Sequence, residues 1–263
     1  MQITQTENLR VDRDGGLLRL TITRPARMNA IDLASMIEIG DVLTEAAIDS
    51  SVRVVVLTGE GKAFCSGADL SSPVQDADGR KGSEIVMDTA DRMIRSVVTA
   101  PVPVIARING PAVGVGLSLA LAADLIYAAE STYLLMPFIN IGLMPDGGAT
   151  ALVAAAVGRV RAAELSLLGE RLPVAEAAAA GLITKALPDD QLDAHVDAVA
   201  DRLAKGPRRA LELTKASINA ATLTELDAAL ERETVGQIEL MSTSDFIEGA
   251  TAVLTRRQPN FGS

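Results

Sequence analysis

The sequence predicts an α/β fold carrying a helical C-terminal region, and three observations predict it. Short β-branched runs recur along residues 1–190, each followed by an irregular loop and then a helical pattern. The runs are only a few residues long and close on Gly, Pro or Asn, as buried strands do. From Gly147 onward the apolar spacing is almost wholly helical, which points to helices packed onto a sheet or onto another subunit. No Pro/Gly/Ser linker separates residues 1–190 from 191–263. They are read as a sheet-based core with a helical appendage for packing and oligomerisation, and 263 residues suffice for one large core.

In order, Leu9–Val11 and Leu17–Ile22 alternate around Asp14-Gly15-Gly16, a hairpin signature. A helix follows from Leu33, with Asp32 as N-cap. Val52–Leu57 is a buried strand, and Glu60–Asp78 a polar loop expected to be mobile past Ser71. Ser83–Val98 is helical until Pro101-Val102-Pro103 ends the pattern, and Val104–Ile108 is again a strand. Leu125–Ala128, Tyr133–Met136 and Leu182–Leu187 are further strands. Helices are expected at Ala149–Val157, Val160–Leu168, Val174–Ala180, Asp190–Lys205, Pro207–Ala220, Thr224–Leu240 and Asp245–Arg256, with Gly181 as a C-cap glycine.

Composition removes several function classes. The net charge is −10 without a basic cluster, so a nucleic-acid partner is not expected. One histidine, His195, cannot build a multi-His metal site, and one cysteine, Cys65, forms no intrachain disulfide. No metal is expected. The longest uncharged stretch, Ile108–Ala123, is broken by Asn109, Pro111, Gly114 and Gly116, so no membrane association is expected either. With no signal-peptide pattern at the N-terminus, the expected location is cytoplasmic. Chemistry must then rest on carboxylates, hydroxyls and backbone groups.

Two segments share a local design. Lys62–Leu70 (KAFCSGADL) follows the strand ending at Leu57, and Asn109–Ser118 (NGPAVGVGLS) follows the strand ending at Ile108. Small residues where a strand gives way to a turn expose backbone N–H groups and let a ligand approach them. Two such groups aimed at one point make an oxyanion hole. Taken singly, each segment reads more readily as ordinary glycine turn punctuation. Neither is a dinucleotide fingerprint or a P-loop, since Leu119 stands where a third glycine would be needed.

Taken together and in order, these motifs resemble the crotonase (enoyl-CoA hydratase/isomerase) superfamily. The resemblance runs from Arg24-Pro25-Ala26-Arg27-Met28-Asn29-Ala30 through AFCSGADL, NGPAVGVGLSLALAAD and IGLMPDGGAT (Ile141–Thr150). It continues to AEAAAAGLI (Ala175–Ile183), Glu248-Gly249 and Asn260-Phe261. It implies a ClpP/crotonase-like spiral of ββα units with a helical C-terminal trimerisation region, assembled as a homotrimer or a hexamer. It implies an acyl-CoA thioester as substrate, coenzyme A being part of that substrate, and no separate cofactor. The N–H groups of Ala68 and Val115 would form the oxyanion hole. Asn29, Ala30, Ala68, Asp69 and Leu70 would line the coenzyme A path, with charge for the phosphates from Arg24 or Arg27 and from Arg256. A solvated-surface role for these arginines stays open.

In the hydratases of that superfamily two glutamates activate water. The resemblance puts Ser118 at the first of these positions and Phe138, after Pro137, at the second. Neither side chain is a base at neutral pH, so ordinary hydration is disfavoured. The carboxylate left nearby is Asp146, in a stretch similar to that of enoyl-CoA isomerases of the ring-epoxide, phenylacetate-pathway type. There the aspartate moves a proton from C2 to C4 of a 3-enoyl or ring thioester. Apolar neighbours Phe138, Ile141, Leu143 and Met144 would raise its pKa. Pro-Asp-Gly is also a strong turn, and an aspartate in it could instead cap the next helix. Hydratase chemistry and a non-catalytic acyl-CoA-binding subunit remain the alternatives. Asp69 is a neighbour of the oxyanion turn or a holder of its loop, Cys65 a small buried filler, His195 a surface residue, and Ser118 a substrate contact or packing.

Overall fold

The computed structural model describes residues 2–72 and 74–262. Pro73, in the loop expected to be mobile, and the chain-terminal positions 1 and 263 lie outside the described residues. In chain order the strands are β1 (Gln2–Gln5), β2 (Leu9–Asp14), β3 (Leu17–Ile22), β4 (Val54–Gly59), β5 (Val104–Ile108), β6 (Ala112–Val113), β7 (Leu125–Ala129), β8 (Tyr133–Leu135), β9 (Arg171–Pro173) and β10 (Lys185–Leu187). The helices are α1 (Leu33–Ile48), α2 (Gly82–Val98), α3 (Val115–Leu121), α4 (Ala149–Leu168), α5 (Val174–Ala179), α6 (Leu192–Ala204), α7 (Arg208–Thr222), α8 (Leu226–Leu240) and α9 (Ser244–Leu254).

The main sheet runs β1-β2-β3-β4-β5-β7-β10, with β1, β2 and β3 antiparallel and every pairing from β3 onward parallel. The sequence explains why β4 lies at its centre. Its VVVL run has no polar face: Val55 and Leu57 enter the large core with α1 and α2, and Val54 and Val56 pack beneath α6. A strand buried on both faces reads as a continuous apolar run. A second sheet, β6-β8-β9, lies beside it and carries the chain into and out of the second glycine turn.

Most expected elements are present. The hairpin closes at Gly15, whose φ of +56° is glycine territory. Asp32 caps α1 by accepting from Ser35 N at 2.9 Å. The break expected between Val157 and Val160 is real, because Gly158 is non-helical (φ 76°, ψ 165°) inside α4. Gly181 closes α5 with φ +81°, as Leu182 N donates to Ala177 O. β4 begins at Val54 rather than Val52, because Val52 N is taken by Asp49 O in the preceding turn. The loop before α2 is tied down on its α2 side, where Gly82 N donates to Asp76 Oδ1 at 2.8 Å.

The C-terminal helices bind to the core through specific polar contacts. Buried Lys215 of α7 donates to Asp124 Oδ2 at 2.8 Å and to Val97 O at 3.1 Å. Burial pushes Asp124 up and Lys215 down, each toward its neutral form, and their mutual attraction offsets part of this. α8 packs on α2 and α4, and α9 on the 3-10 turn Phe138–Ile141. Among the described residues, no helix is long and apolar enough to cross a membrane.

Candidate active site

The two glycine turns are built against one another. Cys65 N donates to Pro111 O and Val113 N to Cys65 O, a short parallel bridge between them. Gly67 (φ +100°) and Gly114 (φ +55°) lie face to face, and a Cβ on Gly114 would sit 3.8 Å from Gly67 Cα. Cys65 fills the space behind. A Cβ on Gly116 would sit 2.5 Å from its Sγ, so glycine there is a packing requirement. Burial pushes the Cys65 thiol up to about 12, which leaves it an inert filler at neutral pH.

The residues after the facing glycines are Ala68 and Val115. Ala68 is bridged to Ile31, with Ile31 N donating to Gly67 O and Asp69 N to Ile31 O. Val115 opens α3, where the first N–H groups have no partner within the helix. Neither the Ala68 nor the Val115 N–H donates to a protein acceptor among the described residues. Two free donors on adjoining turns fit an oxyanion.

The Asp146 loop meets α3 at Ser118, three residues after Val115. The Ser118 hydroxyl of α3 donates to Asp146 O at 2.8 Å, and a Cβ on Gly147 would meet Ser118 Cβ at 2.9 Å. The Met144–Gly148 loop therefore rests on the first turn of α3. The Asp146 side chain is buried, at 8% exposure. Gln237 Nε2 donates to its Oδ2 at 2.6 Å, while Oδ1 has no partner among the described residues. Burial, together with the Glu233 and Asp91 carboxylates, pushes its pKa up to about 7 against the Gln237 hydrogen bond. Such a carboxyl can take and return a proton at neutral pH.

The helix-capping alternative for Asp146 belongs to another residue. Glu233 of α8, fully buried, accepts from Gly148 N at 2.6 Å, from Thr150 N at 2.9 Å and from the Thr150 hydroxyl, so it caps α4 from across the molecule. Burial pushes Glu233 above the usual carboxylate range despite these donors. Phe138 is buried, and its ring edge Cζ would meet a Cβ on Gly114 at 3.8 Å. Next to the second free N–H there is thus a ring rather than an acid.

The family model for enoyl-CoA hydratase/isomerase matches residues 12–263. The chain belongs to the enoyl-CoA hydratase/isomerase family. It is 38% identical to a "Probable enoyl-CoA hydratase" of Rhodobacter capsulatus, over 96% of this chain and 97% of the other. It is 34% identical to the "1,2-epoxyphenylacetyl-CoA isomerase" of Escherichia coli, over 94% and 95% of the two chains. A solved enoyl-CoA hydratase from Mycobacterium avium subsp. paratuberculosis superposes with a TM-score of 0.90 at 46% identity, over 97% and 99% of the chains. The fold is the crotonase fold.

Within this family member the residues expected along the coenzyme A path divide. Asn29 is fully buried, and its amide donates to Ala63 O at 2.7 Å and Glu60 O at 2.9 Å while accepting from Arg24 N. Its side chain braces the first turn, leaving only backbone for a ligand. Arg24 is likewise committed, to Asp69 at 2.9 Å, Asp32 at 3.2 Å and Ala30 O. Asp69 holds its loop. Against the desolvation that opposes it, two bonds from Ser71 and one from Arg24 keep its carboxyl below the usual range. Ala30 is buried and Leu70 half-buried. Arg27 and Arg256 are exposed, and the Arg27 guanidinium donates to the Ser71 hydroxyl at 3.1 Å. His195 is not a plain surface residue, because its ring packs edge-on against Tyr127 at 4.8 Å.

A cavity of about 440 Å³ opens elsewhere, between α4, α7 and the end of α3, and shares no residue with the two turns or the Asp146 loop. Sequence reasoning missed Gln237 and Glu233. Both sit in a mixed helical stretch whose spacing identifies α8 but not its target.

Proposed function

We propose that this family member is an enoyl-CoA isomerase acting on 3-enoyl or ring thioesters. Asp146 Oδ1 removes a proton from C2, and the electrons move into a dienolate whose thioester oxygen is held by the Ala68 and Val115 N–H groups. The same oxygen then returns the proton at C4, so no net proton or water is consumed. The observation that carries this reading is a buried carboxyl with a pKa of about 7 and one oxygen without a partner among the described residues, on a loop that the Ser118 hydroxyl ties to the first turn of α3. Ser118 and Phe138 at the positions where the family's hydratases have glutamates support it. Arg27 and Arg256 would meet the coenzyme A phosphates, since both are exposed and Arg24 is already paired. The protein would assemble as a homotrimer or a dimer of trimers through the apolar side chains that α8 and α9 leave exposed.

Purified protein should convert 3-enoyl-CoA to the conjugated 2-enoyl-CoA, read by ultraviolet absorbance. Asp146→Asn should lose this turnover by at least about a hundredfold, the lower end of a general acid/base contribution. Turnover unchanged in the variant would remove the assignment. Hydratase chemistry is the second reading, favoured by the hydratase names among the relatives. It requires a 3-hydroxyacyl product from 2-enoyl-CoA.

A further inference from the structure

We infer that Gln237 is a positioning residue of this site, its amide holding Oδ2 of Asp146 so that Oδ1 alone carries the proton between the two carbons. This rests on the isomerase reading of Asp146.

The orientation of the amide is dictated by its other end. Met144 N donates to Gln237 Oε1 at 3.3 Å, and a backbone N–H can only donate. The atom facing Met144 must therefore be the carbonyl oxygen, and the NH2 group must face Asp146. The whole group is fully buried, so water does not compete for either end.

One helix face supports the arrangement. Glu233, Gly236 and Gln237 stand at i, i+3 and i+4 along α8. Glu233 fixes the loop at Gly148 and Thr150, and Gln237 fixes it at Met144 and Asp146. Gly236 lets the helix come close, since a Cβ there would lie 2.3 Å from Met144 Sδ. The loop is thus held on both sides of Asp146, with Ser118 fixing its carbonyl from α3.

The chemical consequence concerns the neutral acid. A carboxyl with two equivalent oxygens can carry its proton on either one. Here Oδ2 accepts from an N–H, so the proton must reside on Oδ1, where no protein group competes for it. The ionisable groups around Asp146 are Glu233 of α8 and Asp91 of α2; Arg232 and Arg95 act on those two acids in turn. Asp91 also accepts from Thr234 at 3.1 Å, so α8 touches each acid of the group. No set of three acid, His or Cys side chains is arranged to hold a metal among the described residues. Among the described residues, the amide is the one donor on the Asp146 carboxylate.

The test is carbon-13 NMR titration of the Asp146 carboxyl in the full chain, assigned by its loss in Asp146→Asn and needing no turnover. Gln237→Met and Gln237→Asn, of which the second cannot reach, are compared with wild type and with Glu233→Gln. Loss of a hydrogen bond to a charged group should raise the Asp146 midpoint by about one to two pH units in both Gln237 variants. Removal of a neighbouring charge should lower it in Glu233→Gln. The rising limb of kcat/KM on 3-enoyl-CoA should move the same way in each variant. A merely structural role would lower the plateau and Tm and leave the midpoint in place. An unmoved midpoint in the folded Gln237 variants overturns the inference. An unmoved midpoint with Asp146→Asn inactive condemns only the inference. Full activity in Asp146→Asn condemns the isomerase reading itself.

Discussion

At Asp146, burial without a neighbouring cation sets stability against chemistry. The folded state prefers the neutral acid up to about pH 7, whereas an unfolded aspartate ionises near 3.8. Between these values the folded chain binds the extra proton, so this residue's contribution to stability falls as pH rises from about 4 to about 7 and is flat above. Asp146→Asn should therefore be inactive yet more stable than wild type at pH 8, by on the order of 2–4 kcal/mol. The gap should close toward pH 4, as denaturant unfolding at several pH values would reveal. Equal stability at pH 8 would mean that the carboxylate is not strained in the fold. Asp146 was legible in the sequence through the resemblance of its stretch to isomerase segments and the lack of acids at Ser118 and Phe138, whereas its Pro-Asp-Gly turn alone pointed to a helix cap. Gln237 was not, since it lies 91 positions away and nothing in an amide on a helix names its partner.

Among the elements, the facing turns depend on what is missing from Gly116. Alanine would favour α3 by roughly 1 kcal/mol in helix propensity. Its Cβ would also stand 2.5 Å from Cys65 Sγ and 2.8 Å from Cys65 O, and overpacking of that kind costs about 1–3 kcal/mol. The clash wins, because a backbone oxygen cannot swing aside. Gly116→Ala should lower Tm and reduce kcat more than it raises KM, with partial recovery in Gly116→Ala/Cys65→Ser if the Sγ contact dominates. Steady-state kinetics with a thermal melt would decide. Long elements were legible through period and caps, as α1 and its Asp32 were. The short strands β6 and β9 were not, because two or three residues carry no period and their pairing is set by β8. β1, with the sequence QITQ, is too polar to announce itself and is defined by its partner β2.

Across the whole molecule, α8 and α9 face two ways. Inward they supply Gln237, Glu233 and the packing on Phe138–Ile141; outward they leave Val235, Ile247, Val253 and Leu254 more than half exposed. Apolar area of that kind on helices rimmed by charge suits an interface between copies. Sedimentation velocity should give a mass of three or six chains. Ile247→Asp with Val253→Asp should shift it toward 27.4 kDa, the mass of one chain. A monomeric wild type would dismiss the assembly. The family and the helical tail were readable from ordered motifs, whereas the depth to which that tail enters the site was not.

The position of Gln237 also has a consequence in time. Synthesis proceeds from the N-terminus at about 5–20 residues per second, and early segments can fold as they emerge. Both glycine turns and the acid itself precede residue 150, but the helix that orients the acid begins only at Leu226. On the isomerase reading, a nascent chain would therefore present the donors of an enolate site long before its proton carrier is set, and would stay catalytically silent until α8 has docked.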